Sequence, residues 1–173
     1  LATNALTLNT VAGPGLNSGA ITYNRIYGQF HNGTTVTPAA ANTAYAFALP
    51  STDTSNIATV NNTSHIVPGA SGTYMLSVFI QITNSDSGQS HNSYTWVRKN
   101  GTDIANSMHD YNVPKAVAGQ TTFQWLVTSS NTTDYFEIYY AVDNTAVTYP
   151  GAAATSFGPS APSIIVQITP VGA

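Results

Sequence analysis

Few residues in this chain could carry out chemistry. Its 173 residues include seven Asp and Glu, four Lys and Arg, four His and no Cys. Without cysteine there is no thiol nucleophile and no disulfide framework. No Gly-x-Ser-x-Gly elbow occurs, so an activated serine has no motif to sit on. Hydrolysis of a glycoside needs two carboxyl groups about 5–9 Å apart with divergent pKa values. The acids here stand mostly beside turns, and no pair stands out. His31, His65, His91 and His109 show no His-x-x-x-His or related ligand spacing. His91, in "SDSGQSHNS", reads as an exposed loop histidine, and His109-Asp110 as a lone neighbour pair. "SDS" at 85–87 and "DNT" at 143–145 offer oxygen ligands without the dense acidic spacing of a calcium loop. No catalytic, cofactor-binding or metal-binding residue is assigned, and the chain reads as non-enzymatic.

The one conspicuous group of charges is "WVRKNGTD", in which Arg98 and Lys99 precede Asn100-Gly101. Asn-Gly is the pair best suited to the two positive φ values of a type I′ hairpin turn. On an extended strand Arg98 and Lys99 point to opposite faces, which argues against a shared basic patch. Arg98 shares its parity with Trp96 and is expected to pair with Asp103 across the turn, while Lys99 is expected to be solvated. The stretch reads as a structural hairpin. Charged residues make up only 6% of the chain and the net charge is −3. That excludes the clustered cations of a nucleic-acid-binding protein. No run of about 18 apolar residues marks a membrane-spanning helix.

The elements that position these residues are strands. Pro and Gly punctuate the chain throughout, and the short apolar runs are rich in Val, Ile, Tyr, Phe and Thr, which fit pleated surfaces. Strands are expected at 22–32 and, from the alternation of Tyr45, Phe47 and Leu49, at 42–50. "TDTSNIATVNNTSHIV" reads as a turn-rich segment with a short strand near Ile66. The clearest core strand is "GTYMLSVFIQITN", where Tyr74, Leu76, Val78, Ile80 and Ile82 alternate with Met75, Ser77, Phe79 and Gln81. Further strands follow at "SYTWVRK", "TTFQWLVTSS", "DYFEIYYAVDN" and "SIIVQITPV", with "TYPGAAATSFGPSAPS" as a loop. About eight principal strands, ten at most, and no substantial helix predict an all-β, two-sheet antiparallel jelly-roll sandwich.

One strand breaks the rule that a half-buried strand alternates apolar and polar. In "DYFEIYYAVD" Phe136, Ile138, Tyr140 and Val142 lie on one face, and Tyr135, Glu137, Tyr139 and Ala141 on the other. Tyrosine is large, rigid and polar at its tip, which suits contacts between subunits. Tyr135, Glu137 and Tyr139 are therefore candidates for an interface around a symmetry axis.

The order of motifs "GQFHNGTTVTPAAANTAYAFALPSTDTSN", "HIVPGASGTYMLSVFIQIT", "WVRKNGTDIANS", "TDYFEIYYAVDN" and "APSIIVQITPV" resembles a group of bacteriophage virion proteins with a TNF/C1q-like jelly-roll domain. The similarity spans residues 25–171, and Thr133-Asp134 stands where members of the group often have Gly-Asp. The resemblance implies a compact homotrimer on the outer surface of a phage particle. The expected role is a capsid-decoration protein that binds and stabilises the shell. The second possibility is the receptor-binding tip of a tail fibre that recognises a host glycan or surface protein. Residues 1–20 ("LATNALTLNTVAGPGLNSGA") read as an N-terminal arm that docks onto the major capsid protein or a neighbouring virion subunit, and 21–173 as the jelly-roll domain. The N-terminus has neither a basic region nor a long apolar one, so no signal peptide is expected.

Overall fold

The structure, a computed structural model, describes residues 26–171; the expected arm at 1–20 lies outside the described residues. The strands in chain order are β1 (Tyr27–Asn32), β2 (Tyr45–Ala46), β3 (Ser51–Asn56), β4 (Thr59–Asn61), β5 (His65–Val67), β6 (Gly72–Asn84), β7 (His91–Lys99), β8 (Thr102–Asp103), β9 (His109–Val113), β10 (Ala118–Ser129), β11 (Phe136–Val142), β12 (Val147–Thr148) and β13 (Ile164–Pro170). They form two antiparallel sheets. The first runs β10-β6-β13-β1-β3, with β12 also on β6; the second runs β4-β5-β11-β7-β8, with β2 on β11 and β9 on β7. This is the all-β jelly-roll sandwich the sequence predicts.

The core follows from period-two alternation. Tyr74, Leu76, Val78, Ile80 and Ile82 of β6 point inward beside Ile164, Val166 and Ile168 of β13. Phe136, Ile138, Tyr140 and Val142 of β11 meet them from the second sheet. At one end of the core Phe47, Tyr140 and Tyr149 form an aromatic cluster, with ring centroids 4.3 Å apart for Phe47–Tyr140 and 4.9 Å for each of the other two pairs. Tyr149 is fully buried, and burial pushes its phenol well above the ordinary range. Its hydroxyl lies 2.9 Å from Ser93 Oγ, which satisfies both groups.

Two segments depart from the sequence reading. The stretch read as turn-rich holds two further strands, β3 and β4. β3 is an edge strand of the first sheet whose central residues are all exposed, so it has no apolar alternation to reveal it. The expected strand at 42–50 is reduced to β2, although Phe47 and Leu49 are buried.

At the hairpin between β7 and β8, Asn100 and Gly101 have φ of 51° and 77°, and Lys99 pairs with Thr102 across the turn. Asn100 also clamps the neighbouring 130–134 turn. Its side-chain amide donates to Asp134 Oδ1 at 2.8 Å, and its Oδ1 accepts the Tyr135 N–H at 2.9 Å. Lys99 is not solvated as expected. Its Nζ lies 2.9 Å from Asp134 Oδ2 and donates to the Thr128 carbonyl at 2.7 Å. The reason is topological: β7 lies beside β11, which brings the turn preceding β11 under the lysine. Arg98 does pair with Asp103, which also accepts the Trp96 indole N–H at 2.7 Å.

Two outcomes test this hairpin. Gly101→Val places a β-branched residue at positive φ and should destabilise the fold by about 1–3 kcal/mol, read as a lower urea midpoint at unchanged m. The Asn100 amide, the Ser130 N–H and Lys99 hold the Asp134 carboxyl well below the usual carboxylate range. That stability is present above the unfolded pKa of about 3.9 and is lost as pH falls toward the folded value. Asp134→Asn should therefore melt at lower temperature at neutral pH, and lose less further stability than the parent on acidification. Equal acid sensitivity in thermal melts would remove Asp134 from that role.

Candidate functional site

Because β6 turns one parity inward, Met75, Ser77, Phe79 and Gln81 face away from the core. Register then fixes their neighbours. Phe79 stands opposite Ile165 on β13 and Thr122 on β10; Ser77 opposite Gln167 and Gln124; Met75 opposite Thr169 and Leu126. Beyond β13, Gln29 and His31 of β1 pair with Gln167 and Ile165. The outer face of the first sheet is thus built in rows. One row carries Ile165 and Phe79, and another carries Met75 and Leu126. Between them runs a polar row joined by hydrogen bonds, in which the Gln167 amide donates to Gln29 Oε1 at 2.6 Å and the Gln124 amide to Ser77 Oγ at 3.0 Å.

Three large apolar side chains on this face are exposed, Tyr27 at 40%, Phe79 at 41% and Leu126 at 55%. None of β1, β6, β10 and β13 contains an Asp, Glu, Lys or Arg. At the β3 margin a carboxylate does approach this face, where Asp53 lies 2.9 Å from His31 Nδ1. Monomeric proteins commonly place charge on exposed strands to oppose association. A broad sheet face with exposed Phe and Leu and no formal charge lacks that protection and can be covered at little desolvation cost.

The residues singled out on β11 lie on the outer face of the second sheet, and the structure brings them together with partners from their own chain. Tyr135 stacks on His65, with ring centroids 3.8 Å apart. Glu137 is buried, accepts a hydrogen bond from Ser64 Oγ at 3.1 Å and lies 3.5 Å from His65 Nε2. Tyr139 lies under the Arg98 guanidinium, 4.1 Å from its ring centroid, and beside Trp96. The second apolar face of β11 is therefore already half covered by the adjacent strand and by the residues leading into β5.

His91 is a correction. It is the first residue of β7, is nearly buried, and sits between two carboxylates. Asp86 Oδ2 lies 2.9 Å from Nε2 and Asp143 Oδ1 lies 3.5 Å from Nδ1. Asp86 also accepts the Gly88 and Gln89 N–H groups, and its carboxyl is held below the ordinary range, first by the His91 hydrogen bond. The cluster ties the 85–90 loop to the turn after β11. The histidine was illegible because its partners come from turns distant in sequence. Among the described residues no group of three or more His, Asp or Glu is arranged to hold a metal.

No family model matches the chain, and no curated protein matches it. Solved structures do. The chain is similar to Eiger TNF from S. frugiperda, at 12% identity and a TM-score of 0.51 over 87% of this chain and 95% of that one. It is also similar to murine APRIL, at 4% identity and a TM-score of 0.53 over 85% and 99%. At such identities the likeness concerns the fold, which is a TNF-like jelly roll.

The two outer faces predict different responses to charge. Leu126 is already exposed in the single chain, so Leu126→Asp should change stability by no more than about 0.5 kcal/mol when both proteins are compared at concentrations low enough to keep copies dissociated. Glu137→Ala should cost about 1–3 kcal/mol, since it leaves Ser64 without its buried acceptor. Chemical denaturation of the two variants checks both.

Proposed function

We propose that this chain is a non-enzymatic structural protein of a phage particle, a homotrimer that decorates and stabilises the outer capsid. The trimeric part is carried by one observation: the outer face of the first sheet exposes Phe79 and Leu126, and its strands β1, β6, β10 and β13 carry no formal charge. The virion part is supported by the motif order that resembles phage virion proteins. The TNF-like fold is compatible with both. This reading moves the contact between copies from β11 to the first sheet, since Tyr135, Glu137 and Tyr139 have partners within the chain. Burial in the trimer is expected to exceed about 2,000 Å², as in obligate oligomers. Residues 1–20 are proposed to reach the capsid shell or a neighbouring subunit.

Paired variants test the assembly. Phe79→Asp and Leu126→Asp set three like charges into an apolar contact and should give a folded monomer by light scattering. Tyr139→Arg should leave a trimer. The reverse pattern would return the interface to β11. The molar ratio of this chain to the major capsid protein in purified particles tests the role. A near-stoichiometric ratio supports decoration, a few copies per hundred supports the receptor-binding fibre tip, and absence overturns the virion reading.

A further inference from the structure

The most exposed large apolar side chain among the described residues is Phe157, at 91%. It sits in the segment "PGAAATSFGPSAP", residues 150–162, which contains no charged residue. The segment is a small hairpin held at two levels. Ala152 and Ala161 exchange backbone hydrogen bonds of 2.8 and 2.9 Å, and the Thr155 N–H donates to the Gly158 carbonyl at 2.9 Å. Ser156 and Phe157 are the two residues at its tip. Pro159 and Pro162 stiffen the returning leg. An exposed phenylalanine at the end of a hydrogen-bonded hairpin is presented to the surroundings.

The base of the same hairpin walls a groove on the first sheet. Ser160, Ala161 and Pro162 line it together with Phe79, Thr122 and Ile165, and Gln81 and Gln120 add polar groups to a mostly apolar lining; the volume is about 380 Å³. No charged side chain lines it. Phe157 and Ser160 are three positions apart, about 10 Å at roughly 3.3 Å per extended residue. The tip therefore projects from the groove it borders, and in the single chain it stays in solvent. One molecule thus carries an uncharged aromatic knob and an uncharged apolar groove, each open in its own chain.

We propose that Phe157 of one copy inserts into the Phe79–Ile165 groove of the next copy. The occupant is a second copy of this chain because knob and groove match in character and neither offers charge for a charged partner to pair with. Knob and groove are different patches, so the contact is heterologous and propagates in one rotational sense. Around three copies it closes into a ring in which every knob and every groove is used. This deepens the trimeric reading above and rests on it. It adds a projecting contact between neighbours to the flat sheet face, and it assigns Phe157 as an anchor, the kind of buried aromatic that dominates association energy.

The absence of cysteine allows a direct test on the full chain. Light scattering should show a trimer for the parent, and Phe157→Ala should raise its dissociation constant by about thirtyfold or more. Phe157→Cys with Thr122→Cys in one chain, treated with a short bifunctional maleimide, should give covalent dimers and trimers on a denaturing gel. Each single variant should give none, and an equal mixture of the two should give dimers only. A trimeric parent whose double-cysteine variant fails to cross-link, or an unchanged trimer with Phe157→Ala, overturns the knob-in-groove contact and leaves the trimeric reading standing. Cross-linking of Phe157→Cys alone means that tips meet tips and also overturns it. A monomeric parent overturns both.

Discussion

β6 governs both faces of the first sheet. It bonds to β10 along its whole length and to β13 on its other edge, and it supplies five of the buried apolar side chains of the core. Since a strand alternates its side chains, burying Tyr74, Leu76, Val78, Ile80 and Ile82 fixes the direction of Met75, Ser77, Phe79 and Gln81. A slip of one residue would send Phe79 into the core and Val78 out, so the register that builds the core also dictates what the outer face displays. Phe79 is exposed because of the fold. That its cross-strand neighbours are Ile165 and Thr122, with no charge among them, is a property of this sequence.

The charges that the chain does have are concentrated at turns and strand ends. Lys99, Asp134 and Asn100 lock two loops at one end of the second sheet. Arg98 and Trp96 converge on Asp103 across the β7–β8 turn. Asp86, His91 and Asp143 tie loops together at the opposite end of β7. Charge at these positions satisfies backbone donors and orders connections that have little apolar burial of their own. Beside its apolar residues, the outer surface of β1, β6, β10 and β13 carries Ser, Thr, Gln and His, which hydrogen-bond to water or to each other.

How much of this was legible in the sequence depended on whether the signal was local. The parity of β6 and β11, the Asn-Gly turn and the Arg98–Asp103 pair all rest on residues a few positions apart, and each could be read directly. β3 could not be read, because an edge strand exposed through its middle has no apolar period. Lys99 and His91 were misread for a shared reason. Their partners Asp134, Asp86 and Asp143 come together only once β7 lies between neighbouring loops. Tyr149 and Phe157, both in a stretch read as loop, have opposite fates: one is fully buried against Phe47, the other stands in solvent. Composition cannot separate those cases.

The second face of β11 shows why two apolar faces on a strand are an ambiguous sign of assembly. Tyr135 and Tyr139 could have met copies of themselves. Within the single chain His65 stacks on one ring and Arg98 lies over the other, both from the same sheet, and the two tyrosines are left half-buried. Within a sheet, long and planar side chains on adjacent strands can hide a tyrosine without any partner chain. On the outer face of β6 the neighbours on β10 and β13 are Thr, Gln, Ile and Leu, none of them aromatic or charged, and Phe79 stays 41% exposed. What leaves one outer face partly covered and the other open in this molecule is therefore the neighbours' reach and charge. Those depend on strand pairing, which is why the proposed contact between copies falls on the first sheet.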